Sequence, residues 1–134
     1  MSPELDKQLV EKYPMIFVNR HADMKTTAMC WGFDHNDGWY WIIDNLCSCI
    51  QGYIDNNSHL NITQVVATQV KEKYGSLRFY YDGGDEKIDG MVWLAEHQSW
   101  NTCENCGSTK NIIHTEGWIQ TLCKSCHTPE ENKI

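Results

Sequence analysis

The chain has 134 residues, of which 41% are hydrophobic and 22% are charged, and its formal net charge is −7. That length is enough for one compact domain with a real core. The charge disfavours a nucleic-acid-binding protein, because tracking phosphates needs a basic stripe and none is visible. No apolar stretch approaches the roughly 20 residues of a membrane span, and the opening MSPELDKQLVEKYP lacks the pattern of a signal peptide. We therefore expect a cytosolic protein that does not contact a membrane.

The first predicted element is a short helix near the start of the chain. Ser2 supplies a hydroxyl cap, Pro3 occupies the first helical position, and Pro14 ends the helix. Residues 15–18 are apolar and predict either a strand or a buried connector. Residues 19–29 are polar and predict a loop.

A central helix follows, with Asp37 as its predicted N-cap and its end near Asn56. The apolar residues of this stretch recur at helical spacing, and they are Trp39, Ile42, Ile43, Leu46, Ile50, Tyr53 and Ile54.

The period then changes from helical to alternating. Residues 62–82 contain the β-branched run ITQVVATQV, the turn KEKYG and the alternating SLRFYYDGG, which together predict an antiparallel hairpin. A second long helix follows and ends near Trp100, with Ile88, Val92 and Ala95 on one face. The expected fold class is α+β, with helices packed on a small antiparallel sheet. We expect a core domain over residues 1–100 and a zinc ribbon over 101–130.

The C-terminal cysteines carry the clearest chemical signal. Cys103-x2-Cys106 and Cys123-x2-Cys126 are separated by 16 residues, which is the spacing of a zinc ribbon. Residues 112–113 and 118–122 are the expected strands between the two pairs. Four thiolates in a tetrahedron favour one structural Zn²⁺, and a closed site of this kind offers no coordination position for catalysis.

Other interpretations of the cysteines are weaker. A thioredoxin-like redox pair needs one Cys-x-x-Cys at the start of a helix, and the spacing is not that of a ferredoxin cluster. His127 is an alternative fourth ligand, although an exposed neighbour is the simpler interpretation. Cys47 is expected in the core and Cys49 on the surface, while a second metal site from Cys30, Cys47 and a histidine is the less favoured alternative.

One further stretch is a candidate ligand site. In WGFDHNDGW, Trp31 and Trp39 can stack on a ligand near Asp34, and Arg20 or Arg78 can complete an anion site. The opposing interpretation, in which the acids cap a helix and the aromatic rings pack, is favoured.

Several segments together resemble a family of small, largely uncharacterised tailed-bacteriophage proteins with a C-terminal four-cysteine zinc ribbon. They are MCWGFDHNDGWYWIIDNLCSCIQ, QVVATQVKEKYGSLRFYYDGGD, IDGMVWLAEHQSWNTCENCG and GWIQTLCKSCH, and KEKYGSLRFYYDGGD is the most distinctive part. The resemblance implies a phage origin, action in the cytoplasm of the infected bacterium and a zinc ribbon. It implies no catalytic residues.

Two function classes follow. The first is a protein-interaction module that modulates or blocks a host enzyme or defence protein, which the acidic charge and six tryptophans favour. The second is a small-molecule or nucleotide-binding protein, acting as a sponge or as an unrecognised enzyme. Nucleic-acid binding through the ribbon ranks third because of the charge. The chain contains no phosphate loop, dinucleotide fingerprint, zinc-protease pattern or nucleophile elbow, so no motif supports catalysis.

Overall fold

The computed structural model describes residues 1–127, which form three α-helices and five strands. The helices are α1 (Pro3–Lys12), α2 (Tyr40–Asn56) and α3 (Glu86–Ser99). The strands are β1 (Phe33–Asp34), β2 (Val66–Lys73), β3 (Ser76–Asp82), β4 (Ile112–His114) and β5 (Thr121–Cys123). The α+β class is confirmed. Within the described residues, no helix is both long enough and apolar enough to cross a bilayer.

The start of the chain follows the predicted pattern. The Ser2 hydroxyl accepts a hydrogen bond from the backbone N–H of Leu5, which caps α1. The segment after α1 is a buried connector and forms no strand, since Ile16 and Phe17 are buried in turns. The carbonyl of Ile16 accepts from the N–H of Ala67 at 2.8 Å, so the connector is bonded to the sheet.

The main sheet has three strands in the order β1-β2-β3. β2 and β3 form the predicted antiparallel hairpin, whose tip holds Tyr74 and Gly75 at positive φ. Positive φ at both central residues is the geometry of the tight hairpin turn that suits the twist of the flanking strands. β1 pairs in parallel with β2, with Phe33 opposite Val70. This third strand is two residues long and was not predicted.

Helix α3 closes the free edge of β3. The N–H groups of Leu77 and Phe79 point away from β2, and α3 supplies their acceptors: the Ser99 hydroxyl at 2.8 Å and the Glu96 carboxylate at 2.9 Å. An uncovered edge is a template for pairing with another chain. These two N–H groups of the β3 edge are therefore satisfied inside the molecule.

The central helix starts later than the sequence predicts. A short 3-10 helix spans Asp37–Trp39, α2 begins at Tyr40, and neither has a side-chain cap. The prediction that Asp37 is the N-cap is therefore wrong. Its carboxylate accepts from the backbone N–H of Ser2 at 2.7 Å, because the 3-10 helix directs it toward the start of α1.

The cysteine unit, which we define as residues 102–127, is joined to the core at Gly38. The Gly38 N–H donates to the carbonyl of Glu104 at 2.7 Å, and the indole N–H of Trp39 donates to the carbonyl of Thr102 at 2.9 Å. A Cβ at position 38 would lie 2.2 Å from the Cys103 carbonyl oxygen. Only glycine fits this approach. The proposed boundary between residues 100 and 101 stays a prediction.

We expect Gly38→Ala to destabilise the protein by about 3 kcal/mol, because overpacking against a backbone cannot relax by rotamer changes. Gly52→Ala is the matched control: it lies in α2 with nothing within 4 Å of the added Cβ. That control should gain about 1 kcal/mol from helix propensity. Chemical denaturation of both variants measures the difference. Equal stabilities would contradict the tight junction.

His35 is a buried, half-satisfied histidine beside Trp39. It is 5% exposed, its Nδ1 donates to the carbonyl of Asn36 at 2.7 Å, and its Nε2 has no partner within the described residues. Burial lowers the pKa of His35 to about 4, since the charged ring would lose its hydration. His35 is therefore uncharged in the folded protein at neutral pH.

The pKa of His35 predicts a defined pH dependence. The pKa of His35 in the unfolded chain is near 6.5. The contribution of the neutral ring to the free energy of unfolding is therefore complete above pH 6.5 and is lost as the pH falls toward 4, by about 3 kcal/mol in total. His35→Phe should remove this part of the profile. The free energy of unfolding of both proteins, measured from pH 7.5 to 4, gives the comparison. A constant difference across that range would contradict the assignment.

Candidate metal centre

Four cysteine sulfurs converge at the end of the chain. The sulfur atoms of Cys103, Cys106, Cys123 and Cys126 all lie within 4.8 Å of one another, and Cys106 and Cys123 are 3.6 Å apart. This arrangement can hold a metal ion. The four cysteines that the spacing predicts as ligands are thus brought together.

Two tight turns and a hairpin build the cluster. In the first turn the Gly107 N–H donates to the Cys103 carbonyl at 2.9 Å, with Gly107 at a φ of +83°. In the second, the N–H of His127 donates to the Cys123 carbonyl at 2.9 Å. β4 and β5 then place Ile112 opposite Cys123, which carries one turn alongside the other.

The hairpin between the turns is shorter than the sequence predicts. β4 covers residues 112–114, which includes the predicted 112–113, but β5 begins only at Thr121. The prediction that Trp118 starts this strand is wrong. Trp118 lies in the loop and is 79% exposed, because Gln120 and Thr115 close the turn by backbone and side-chain hydrogen bonds after it.

The thiols titrate differently although they lie together. Burial acts to raise the pKa of Cys103, but backbone N–H groups directed at its sulfur outweigh burial and lower the pKa to about 7. In Cys106 the backbone of Ser108 acts to lower the pKa, while burial and the neighbouring thiols raise it to about 12. Several thiolates at such short range repel one another. A divalent cation removes that repulsion, so metal binding releases protons.

The cluster is buried on one side only. Cys103 and Cys123 are buried, Cys126 is partly exposed and Cys106 is exposed. The side-chain amide of Asn105 donates to the Cys126 sulfur at 3.5 Å. Such hydrogen bonds orient a ligand and tune its charge. The cysteine cluster therefore faces the surface through its first turn.

The other cysteines do not join a metal centre. Within residues 1–127 the four-cysteine cluster is the one group of metal-ligating side chains of this kind, so Cys30, Cys47 and a histidine do not converge. Cys47 is fully buried, and that burial raises the pKa of its thiol. Cys49 is exposed. Both of these placements are confirmed. His127 is also outside the cluster.

The structure places the five candidate ligand-binding residues in different environments. Arg20 is held by Asp6, to which its Nη2 donates at 2.7 Å, and it also donates to the carbonyl of Cys30 at 2.9 Å. Trp39 is fully buried and has no face for stacking, whereas Trp31 is 71% exposed. The idea of a ligand between these two tryptophans is not compatible with this packing.

The remaining two candidates lie on the sheet. Asp34 is exposed in β1, opposite Lys71 of β2. Arg78 is partly exposed in β3 and lines a groove of about 360 Å³ with Trp93 and Trp100. A ligand-binding role for Arg78 stays a prediction, and its aromatic neighbours come from α3.

The sequence analysis did not predict a groove beside the first cysteine turn. A groove of about 400 Å³ lies between α2, the end of α3 and the first cysteine turn, and we call it the Trp41 groove; its lining includes Trp41, Ile42, Asn45, His97, Asn101 and Gly107. Trp41 is 67% exposed. Its position outside the apolar stripe of the central helix was the available signal.

Comparison of the chain with protein-family models, curated proteins and solved structures found no match. The resemblance to tailed-bacteriophage proteins therefore stays a prediction. The metal centre and the grooves are supported by their geometry alone.

Mutating one ligand tests the metal centre. We expect Cys123→Ser to weaken metal retention at pH 7 by more than about 100-fold. Loss of a residue that only hydrogen-bonds to a ligand already lowers metal affinity by up to about 100-fold, and Cys123 is itself a predicted ligand. Cys49→Ser is the matched control, because Cys49 is exposed and outside the cluster. Competition with a chelator, followed by metal analysis, measures retention. Equal retention by both variants would contradict the site.

Proposed function

We propose that the four cysteines bind one Zn²⁺ ion. A tetrahedron with Zn–S bonds of about 2.3 Å has edges of about 3.8 Å. The 3.6 Å between the Cys106 and Cys123 sulfurs is close to that edge. Zinc is also the metal that four soft thiolates in a tetrahedron favour.

The proposed zinc has a structural role. Four thiolates occupy every position of a tetrahedral ion, which leaves none for a water molecule or a substrate. The ion instead fixes the first turn against the 3-10 helix that precedes α2, where a Cβ on Gly107 would lie 3.1 Å from the Gly38 carbonyl. Zinc binding and folding of residues 102–127 are then one process.

The chain then acts as a zinc-stabilised protein-interaction module, and the Trp41 groove is the observation that carries this proposal. One wall of the groove is α2 and the opposite wall contains Gly107 and Thr109 of the cysteine unit. No residue in its lining carries a formal charge other than through His97. Interface centres are depleted of charge and enriched in aromatic residues.

The partner we propose is a protein of the infected host that inserts an apolar side chain into the Trp41 groove. The residues that resemble tailed-bacteriophage proteins support a phage origin and a bacterial cytoplasmic setting. The net charge of −7 favours a partner with a basic rim around that side chain. Binding of this kind would modulate or block the host protein.

Two tryptophan variants test the groove. The wild type is expected to co-purify with one stoichiometric host protein, and Trp41→Ala should reduce that binding by about 30-fold or more, the effect of a hot-spot tryptophan. Trp31→Ala is the control, because Trp31 is about equally exposed but does not line the groove. Chelation should abolish binding in all three proteins. Titration calorimetry with the purified partner provides the measurement.

The contrary outcome is equally specific. If Trp31→Ala and Trp41→Ala weaken partner binding to the same small extent, the groove is not the interface. If metal-free protein binds as tightly as the zinc form, the cysteine unit does not build the surface.

A further inference from the structure

The outer face of the main sheet carries three cationic side chains. Directly opposed residues in a sheet point to the same side, and Val70 and Phe79 are opposed and buried. The next pair, Lys71 and Arg78, therefore points outward, as does Lys73 two residues further. We call this surface the sheet outer face.

These cations have no ion-pair partner within the described residues. The ion pairs found there involve Lys7, Lys12 and Arg20, each with an acid within 4.0 Å. Lys71, Lys73 and Arg78 form none with the part of the chain that the structure describes. Among residues 1–127, Arg78 donates from Nη1 alone, to the Ser76 hydroxyl and to the Leu77 carbonyl. Its other N–H groups remain available.

Aromatic side chains flank the cations on both sides. Trp93, which is 68% exposed, and Trp100 line the groove beside Arg78. Tyr74 and Trp118 line a second groove of about 310 Å³ that includes Lys71 and Lys73. Each groove therefore combines a cationic side with an exposed aromatic ring.

Three acids border this surface, and two of them have backbone partners. Glu96 accepts from the N–H of Phe79, and Glu72 accepts from the N–H of Gly75 at 3.3 Å. They fix the edge and the tip of the hairpin. The third acid is Asp34, opposite Lys71 at the short strand β1. The acids equal the cations in number, so what distinguishes the cations is that none of them is held in an ion pair within the described residues.

We propose that the sheet outer face binds single-stranded nucleic acid. Unpaired bases stack on exposed aromatic rings, and cations between the rings follow the phosphates. The net charge of −7 argued against this class, but it is a sum over the chain. The register of the hairpin gathers three cations onto one small surface. This activity goes beyond the protein-interaction function and uses different grooves, one of which meets the Trp41 groove at His97.

Three phosphate contacts predict a modest salt dependence. For single strands the slope of log K against log salt is about −0.7 per contact. Lys71, Lys73 and Arg78 thus give about −2, or a loss of about 20-fold in affinity between 50 and 200 mM salt. The slope counts the contacts independently of the affinity.

The test uses fluorescence anisotropy with labelled 12-nucleotide dT and rU strands and the full-length, zinc-loaded chain. We expect binding with that salt slope, and weaker binding to a duplex of the same length. Arg78→Gln should lower the slope by about 0.7. Lys25→Gln is the matched control, since it removes one exposed cation elsewhere.

Stacking is tested by a second pair of variants. Trp93→Ala should weaken strand binding by at least about fivefold, while Trp31→Ala, equally exposed, should not. No binding at 50 mM salt, equal effects of Arg78→Gln and Lys25→Gln, or preference for the duplex would overturn the proposal. A protein partner whose binding needs Trp93, without strand binding, would also overturn it. Trp41→Ala should leave strand binding unchanged, which separates this proposal from the protein-interaction function.

Discussion

Convergence of four thiols on one point is the constraint on which the C-terminal part of the structure depends. Residues 102–127 contain only two strands of three residues each, too little to form a core of their own. Their sulfurs lie within 4.8 Å of one another, so an ion that binds all four closes the loop between the two turns. Closing the loop fixes the carbonyl groups of Thr102 and Glu104, which accept hydrogen bonds from Trp39 and Gly38 of the core.

The closed unit is built into the core at two places. At one, Gly38 bonds to Glu104; at the other, the buried hydroxyl of Thr121 donates to the carbonyl of Gly75 at 2.6 Å. Each contact lies beside one of the proposed binding surfaces. The first forms a wall of the Trp41 groove, and the second places the Trp118 loop beside the hairpin tip. A metal ion held by the four thiols would therefore shape both surfaces without contacting a binding partner at either one.

Local sequence patterns predicted the features that depend on interactions between residues close together in the chain. The helical spacing of α2, the alternation of Leu77 and Phe79 and the cysteine spacing all appear in the structure as expected. These local patterns do not predict contacts between residues that are far apart in the sequence. The sequence does not show that Asp37 bonds to Ser2, that Trp39 is buried while Trp41 is exposed, or that β1 joins the sheet. The net charge likewise does not show that Lys71, Lys73 and Arg78 lie on one face of the sheet, because this placement depends on the register of the two strands.

X-ray absorption at the metal edge of freshly purified, reduced protein tests the central claim most directly. The account predicts one zinc per chain, surrounded by four sulfur atoms at about 2.3 Å and by no lighter ligand. A nitrogen or oxygen atom in the coordination sphere would mean an open or mixed site. Such a result, or the absence of a stoichiometric metal, would contradict a closed four-thiolate ion that holds the cysteine unit to the core.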